Sequence, residues 1–320
     1  MREKRVFVVG SLNADHRVRV RDIPKPGETV LGSNVVVAAG GKGANQAVAA
    51  ARAGARAVLI GATGADRDGE LVRRTVAEED VDARHVRIVL DTPTGRALIT
   101  VDREGENTIV VSPGANSELV VDDIDAGLQG AEEGDLLLLQ LETPQPLVRH
   151  AARAAADAAC TVIMNAAPVP PSVNDLFNDV DVLVVNEHEL AMLADLLRRN
   201  SNDRDRDADM GLLAAESGAT VVCTAGDAGA FVTHDGAVKH IAAHRVDAVD
   251  ATAAGDTFIG YFAAALTTTA NDTIMAIQTA VAASALAVTR PGAIDSIPYR
   301  HEAATTPPPT RRADHENRAG

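Results

Sequence analysis

The sequence predicts a three-layer α/β/α fold, a mainly parallel sheet covered by helices on both faces, with a small β sheet standing off it. Two observations predict the main layers. Short, continuously apolar, β-branched runs recur along the chain with helical stretches between them, and uninterrupted apolarity is what a strand buried on both faces requires. A third observation gives the small sheet: residues 16–38 ("HRVRVRDIPKPGETVLGSNVVVA") and 94–115 ("TGRALITVDREGENTIVVSPGA") break this alternation with β-type patterning, the second around a "REGEN" turn. Two such pieces cannot bury both their faces alone, so they fit a lid over a site or a contact with a second subunit.

In chain order the buried strands are expected at "VFVVG" (6–10), "AVLIG" (57–61), "DLLLLQLE" (135–142), "TVIMNAAP" (161–168), "DVLVVNEHE" (181–189) and "ATVVCTAGDAG" (219–229). Ligands of such sheets bind beyond the C-terminal strand ends. Asn13, Glu142, Asn165, Asn186, Glu189 and Thr224 follow the apolar runs there. The α/β body is assigned to residues 1–15, 39–93 and 116–304, with the lid inserted in it at 16–38 and 94–115. The charged segment 198–210 ("RRNSNDRDRDADM") reads as a surface loop, and the Pro-rich, then polar, tail 305–320 as disordered.

Composition excludes several classes. A net charge of −15 argues against nucleic-acid binding, which needs clustered Lys and Arg. Aromatics are 2 % and Trp is absent, so the core is built from Ala, Val, Leu and Ile. The two cysteines, Cys160 and Cys223, lie in β-like runs without a His or Cys at metal-ligand spacing and read as buried, reduced thiols. The N-terminal apolar run is broken by Asn13, Asp15 and His16 too early for a signal peptide, and no run is long enough for a membrane span. A cytoplasmic location is expected.

Four stretches bear chemistry. In "VDATAAGDTFIGYFAAALTTT" (249–269) an apolar helix begins with Gly255 and Asp256 behind a run of small residues. An acidic first-turn residue ordinarily caps free N–H groups. The small residues before it add exposed amides that an anion can approach closely. In "AAGGKGANQAVAAARAG" (38–54), Gly40, Gly41, Lys42, Gly43 and Asn45 combine close backbone approach with an amine and an amide, donors suited to a polyhydroxylated ligand; this is not the phosphate loop G-x-x-x-x-G-K-[ST]. In "VVNEHEL" (184–190), Asn186 and Glu189 are either helix-start residues or oxygen ligands around hydrated Mg²⁺. In "VVCTAGDAGA" (221–230), Thr224 and Gly226 make a turn that also suits nucleotide phosphates.

Taken in order, "GSLNADH", "GGKGANQAVAAARAGA", "TGRALITVDREGEN", "QLETP", "NAAP", "NEHE", "TAGDAGA", "AVDATAAGDTFIG" and "ALAVTRPGAIDSIP" resemble the ribokinase branch of the PfkB-type carbohydrate kinases over residues 4 to 300. The resemblance implies ATP-dependent phosphorylation of D-ribose at its 5-hydroxyl, with Asp256 as general base and the amides of Ala253, Ala254 and Gly255 as anion hole. A carboxylate at a helix mouth is a weak base, but phosphoryl transfer asks mainly for positioning and charge stabilisation, so a weak base suffices. It further implies Asn13, Asp15, Gly40, Gly41, Lys42, Asn45 and Glu142 on the sugar, with Asp15 and Glu142 ionised; Asn186, Thr224, Gly226 and Gly255 on ATP; Asn186 and Glu189 around Mg²⁺ through water. A monovalent cation, usually K⁺, would sit by Asp250, Thr252, Ala287, Arg290, Gly292 and Ser296, and a dimer would form through paired lids.

The chain departs from that pattern at Ala251, where many relatives have Thr, at "NAAP", where many have "NPAP", and at Pro291, which removes a backbone donor beside the cation loop. The competing readings are a kinase for 2-deoxyribose, fructose, a sugar acid or a nucleoside, and a non-catalytic sugar-binding protein. A sugar acid calls for Arg near the pocket and a nucleoside for aromatic partners, neither of which the named positions supply. A relic binding protein would have lost Gly255 or Asp256, and both stand.

Overall fold

The computed structural model describes residues 2–198, 205–269 and 272–303. The first half of the chain runs β1 (Arg5–Val9), β2 (Asn13–Arg19), β3 (Val36–Gly40), α1 (Lys42–Arg52), β4 (Arg56–Gly64), α2 (Arg67–Ala77), β5 (Asp82–Val89), β6 (Gly95–Val101), β7 (Asn107–Ser112), α3 (Val121–Gly127) and β8 (Leu136–Leu139). It continues through α4 (Gln145–Asp157), β9 (Thr161–Asn165), β10 (Val182–Asn186), α5 (Glu187–Leu197), α6 (Arg206–Ser217), β11 (Thr220–Thr224), β12 (Ala230–His234), β13 (Ala237–Ile241), α7 (Ala254–Thr268), α8 (Thr273–Ala287) and α9 (Arg300–Ala303).

Nine strands form one sheet in the order β13-β12-β11-β10-β9-β8-β1-β4-β5. It is parallel from β11 to β5, and β12 and β13 add antiparallel at one edge. The period-2 geometry of a strand divides each apolar run between two cores. Val6, Val8, Leu136 and Leu138 pack with α1, α2, α7 and α8, while Phe7, Val9, Leu137 and Leu139 pack with α3, α4, α5 and α6. The three layers expected from the apolar runs are therefore present. β5, β12 and β13 had no counterpart among the expected strands, because each leaves part of its length to solvent and mixes polar residues into the run.

The chain leaves β1 toward β4 and β5 on one side, and fills β8 to β11 on the other. The crevice between the β1 and β8 ends is thus the switch point where such sheets bind ligands. Gly10 and Ser11 leave β1 there, Gln140 and Glu142 leave β8, and Asn165, Asn186 and Thr224 end the next three strands.

The second sheet has the order β3-β2-β6-β7, with β2 and β6 parallel and the outer pairs antiparallel. Val36, Val37, Leu98, Ile109, Val110 and Val111 stay exposed on it. Its strands reach beyond the segments expected for it: Asn13–Asp15 belong to β2, and Ala39 and Gly40 to β3, so residues assigned to the α/β body lie in the small sheet. Asn13 consequently opens a new strand and does not end β1.

Segment 198–210 is corrected in part. α6 starts at Arg206, because Asp205 accepts a hydrogen bond from the Ala208 N–H and Met210 and Leu213 bury their side chains. Residues 199–204 and the tail 305–320 fall outside the described residues. Cys160 and Cys223 are buried free thiols, pushed up to about 11 and about 12 by desolvation. No helix among the described residues is long and apolar enough to cross a membrane.

Candidate active site

Three helix mouths and three strand ends surround a cavity of about 210 Å³, lined by Lys42, Asn165, Asn186, Glu189, Thr224, Ala251 and the 253–256 turn. α7 enters it through Ala253, which holds a left-handed backbone with φ 58° and offers no side-chain cap. That conformation costs a non-glycine residue about 1–2 kcal/mol. The first turn of the helix, whose N–H groups have no partner within the helix, lines the crevice. The position where Gly255 would carry a side chain is open space. One element of the expected anion hole is corrected: the Ala254 N–H is already used, donating to the Ala251 carbonyl at 3.2 Å.

Asp256, the third residue of α7, is 8 % exposed. α1 takes hold of both its oxygens. Asn45 Nδ2 donates to Oδ2 at 2.8 Å, and Gln46 Nε2 donates to Oδ1 at 2.9 Å. α7 can approach α1 this closely because it has Gly260 at the contact, where a Cβ would stand 2.6 Å from the Gln46 carbonyl; Gly41, with φ 95°, seats the start of α1 against the link from β1 to β2, where a Cβ would stand 2.7 Å from Asn13 N.

The residues expected on the sugar side form a second cluster. Asn13 donates to Glu142 Oε2 at 3.2 Å, accepts from Asn116 Nδ2 at 2.8 Å, and Ser11 donates to the same Glu142 oxygen at 2.6 Å. Asp15 packs its carboxylate over Gly40, where a Cβ would lie 2.3 Å from Oδ2. Burial, with Glu142 and Asp256 nearby, raises its pKa to about 7 against the pull of Arg17 and Lys42. That direction runs against the ionised form expected of Asp15.

Lys42, first residue of α1, lies between the two groups. Burial disfavours its charge, yet Asp256, Glu142, Glu189 and Asp15 outweigh that and raise its pKa. It lines the cavity beside Thr224 and Gly255, where Asn13, Asp15 and Glu142 do not. Four carboxylates around one ammonium make a site that favours hydroxyl donors and cations.

At the mouth of α5, Asn186 and Glu189 cap the helix reciprocally: Asn186 Oδ1 accepts from the Glu189 N–H and Glu189 Oε2 from the Asn186 N–H, each at 2.8 Å. The helix-start reading is therefore realised. It leaves Glu189 Oε1 and Asn186 Nδ2 for other partners. Burial raises the pKa of Glu189, opposed by that backbone bond and by Lys42. Thr224 lines the cavity, its hydroxyl 3.4 Å from the Val185 carbonyl, whereas Gly226 does not line it.

Of the monovalent-cation positions, Asp250, Thr252 and Gly292 come together. Asp250 accepts from Thr252 N at 2.9 Å, Thr252 Oγ1 at 2.6 Å and Gly292 N at 3.0 Å, with Arg17 of β2 at 3.5 Å. These donors lower its pKa against the cost of burial. The other three positions also have partners within the chain. The Ala287 carbonyl accepts from Arg290 N, the Arg290 side chain pairs with Glu302 at 2.6 Å, and Ser296 donates to the Ala293 carbonyl.

Four residues of the site had no expected role: Ser11, Gln46, Asn116 and Gln140. Gln46 and Gln140 stand inside motifs whose order signalled the site, but only the folded chain shows what they touch. A wider cleft of about 1160 Å³ lies by the C-terminal half of α7, among α8, β13 and Arg300. No carboxylate lines it; its ionisable side chains are Lys239, His240, His244, Tyr261 and Arg300.

Comparison with known proteins agrees with this geometry. The family model "pfkB family carbohydrate kinase" matches residues 3–300. The chain belongs to the pfkB carbohydrate kinase family. This pfkB-family chain is 39 % identical to the ribokinase of Haemophilus influenzae, over 93 % of its own length and 97 % of that protein. Among solved structures it is similar to a ribokinase from Cryptococcus neoformans in complex with ADP, with TM-score 0.84 and 31 % identity over 94 % of this chain and 99 % of that one. The Arabidopsis thaliana ribokinase complexed with ribose and ATP aligns with TM-score 0.81 and 29 % identity, over 95 % and 98 %.

Proposed function

We propose that this pfkB-family kinase transfers the γ-phosphoryl group of ATP to the 5-hydroxyl of D-ribose, giving D-ribose 5-phosphate and ADP. The observation that carries the reading is a buried carboxylate, Asp256, held by two amides of α1 at the open mouth of α7. The 5-hydroxyl oxygen attacks the γ-phosphorus, the bond to the ADP oxygen breaks, and the hydroxyl proton passes to Asp256. The amides of Ala253 and Gly255 meet the transferring group, and a helix N-terminus suits the charge it bears. Lys42 adds a fixed positive charge between the acceptor and donor sides.

Asn13, Asp15, Gly41, Asn45 and Glu142 bind the sugar hydroxyls. The Asn45 Oδ1 atom, buried and without a donor among the described residues, is a free acceptor for one of them. A site built of such partners rejects a sugar that lacks the matching hydroxyl. Thr224 and Gly226 contact ATP phosphates.

Among the described residues no three acidic, His or Cys side chains form a metal cage. Mg²⁺ takes oxygen ligands and keeps several of its waters; the spare atoms of Asn186 and Glu189 would hold it through water. When bound it neutralises charge on the phosphate oxygens. The Asp250 carboxylate, already ringed by protein donors, is a poor direct ligand for K⁺. The proposed monovalent-cation site therefore depends on backbone carbonyls of its loop, and none of the roles above depends on it.

The small sheet is proposed to close over the sugar and exclude water, and its exposed Val36, Leu98, Val110 and Val111 to pair with a second copy in a homodimer. Replacing Leu98 and Val110 together by Asp should give a monomer by analytical ultracentrifugation; an unchanged dimer would move the interface elsewhere. Buried free thiols and the use of ATP support a cytoplasmic location.

The test is ATP-dependent ADP release with Mg²⁺ on D-ribose, 2-deoxyribose, D-fructose and adenosine, each with and without K⁺. Ribose should give the highest kcat/KM. Preference for another acceptor would keep the kinase and overturn the sugar, and no turnover on any of them would favour a binding protein.

A further inference from the structure

Two buried amides stand in line behind Asp256, with a third beside them. Gln140, just past β8, donates from Nε2 to Gln46 Oε1 at 2.7 Å; Gln46 in turn donates from Nε2 to Asp256 Oδ1 at 2.9 Å, with Asn165 Oδ1 at 3.5 Å from the same nitrogen. Gln46 and Gln140 are both fully buried. Neither lines the cavity, and no role in sugar or nucleotide binding falls to them.

An amide side chain is ambiguous: either end can face a neighbour, and one end donates while the other accepts. A carboxylate is not ambiguous, since when ionised it only accepts. The line therefore has a direction. With its oxygen occupied by the Gln140 NH₂ group, Gln46 must turn its own NH₂ toward Asp256. Were the Gln46 amide reversed, its oxygen would face the carboxylate and its NH₂ would face the NH₂ of Gln140, two repulsive contacts in a buried place where each is costly. Gln140 Oε1 has no hydrogen-bond partner among the described residues and occupies the room that the missing side chain at Gly10 leaves, so the bond to Gln46 is what fixes this amide.

We propose that Gln46, oriented by Gln140, is a positioning residue for the transfer reaction: it fixes the rotation of the Asp256 carboxylate so that the oxygen facing the sugar is set before substrate arrives. Asn45 holds the other oxygen but also has a free acceptor for the sugar, so its loss disturbs binding as well as orientation. Gln46 bonds Asp256, Gln140 and Asn165 and does not itself line the cavity. This inference rests on the reading of Asp256 as the proton acceptor.

The distinguishing prediction is therefore a split between kcat and KM. Gln46→Met keeps length and removes the donor. It should lower kcat about 10- to 100-fold, the effect of a slightly misplaced reacting group, while KM for ribose and for ATP stays within about threefold, as expected for an interaction that does not bind either substrate. Gln140→Met leaves the Gln46 amide free to turn over and should lower kcat in the same way by less. Both should move the acid limb of the kcat profile to higher pH, because a carboxylate stripped of a donor holds its proton more tightly; a purely structural change would not move that limb.

Thermal melting of each variant controls for folding. If Gln46→Met does not fold, Gln140→Met decides alone, by the same split and the same limb. Unchanged kcat, a loss confined to KM, or a lowered kcat with an unmoved acid limb overturns the proposal. Asp256→Asn separates the two layers. If it retains full turnover, the base assignment fails; if it is inactive while both glutamine variants turn over like the parent, only the positioning role fails.

Discussion

Two helices open on the same crevice with an acidic residue at the same place, the third position, and the two carboxylates are used differently. At α5 the carboxylate of Glu189 bends back onto the Asn186 N–H and closes the helix mouth. At α7 the carboxylate of Asp256 is drawn off by Asn45 and Gln46 of another helix, and the mouth stays open. A first-turn acid caps its own helix unless another element competes for it. Where one does, both a carboxylate and a set of free N–H groups become available to a ligand. The difference lies in α1, 210 residues away in sequence from Asp256.

The largest effect that would break this comparison is on Asp256. Asp256→Asn should cost roughly 10²–10⁴-fold in turnover if the residue is a general base, with sugar and nucleotide binding kept by calorimetry; a variant turning over at the parent rate would make α7 as passive as α5. Next comes Glu189→Gln, which retains a capping oxygen and loses a charge. Its melting temperature should hold while the KM for MgATP rises about tenfold, as for loss of an outer-shell metal partner. A lowered melting temperature with unchanged KM would make Glu189 a cap and nothing more. Asn186→Ala then isolates the cap itself, with an expected loss of about 1 kcal/mol in denaturant unfolding; no loss would show that the mouth of α5 needs no closing.

The smallest effect sharpens the electrostatic side. Asp15 has a folded pKa raised to about 7 from 3.8. Between those values the folded state holds a proton that the unfolded state has released, so this residue's contribution to stability is full below the lower value and is lost as pH rises through about 7. Asp15→Asn should flatten the fall in stability of the free protein across that window. Sugar hydroxyls favour the ionised form, so ribose binding at pH 7 should release about half a proton, read from calorimetry in buffers of different ionisation heat. Proton uptake on binding would reverse the assigned role.

The sequence was most legible where one local rule determined the outcome. Continuous apolar runs marked the parallel strands because burial on both faces admits nothing else, and the paired motifs around Asn45 and Asp256 marked residues that do meet, at 2.8 Å. What stayed hidden was relational. Gln46 and Gln140 are silent as sequence, because an amide's role depends on which of its two ends a neighbour takes. Asn116 lies outside every motif and matters only through Asn13. Arg206 sits in a charged run that reads as loop, and becomes helical because Asp205 caps it and Met210 lies four residues further along a buried face.

The start of β2 has one more consequence. Asn13, Asp15 and Arg17 share a face of that strand, and reach Glu142, Gly40 and Asp250 respectively. Strand geometry alternates faces residue by residue, so removing one residue between Gly10 and Asn13 would present Ala14, His16 and Val18 in their place. The lesion would erase the acceptor's half of the crevice and spare the donor's. Chains carrying it should still take up nucleotide and should spend it only on water, which makes the short Ser11–Leu12 link the frame-setting joint of the molecule.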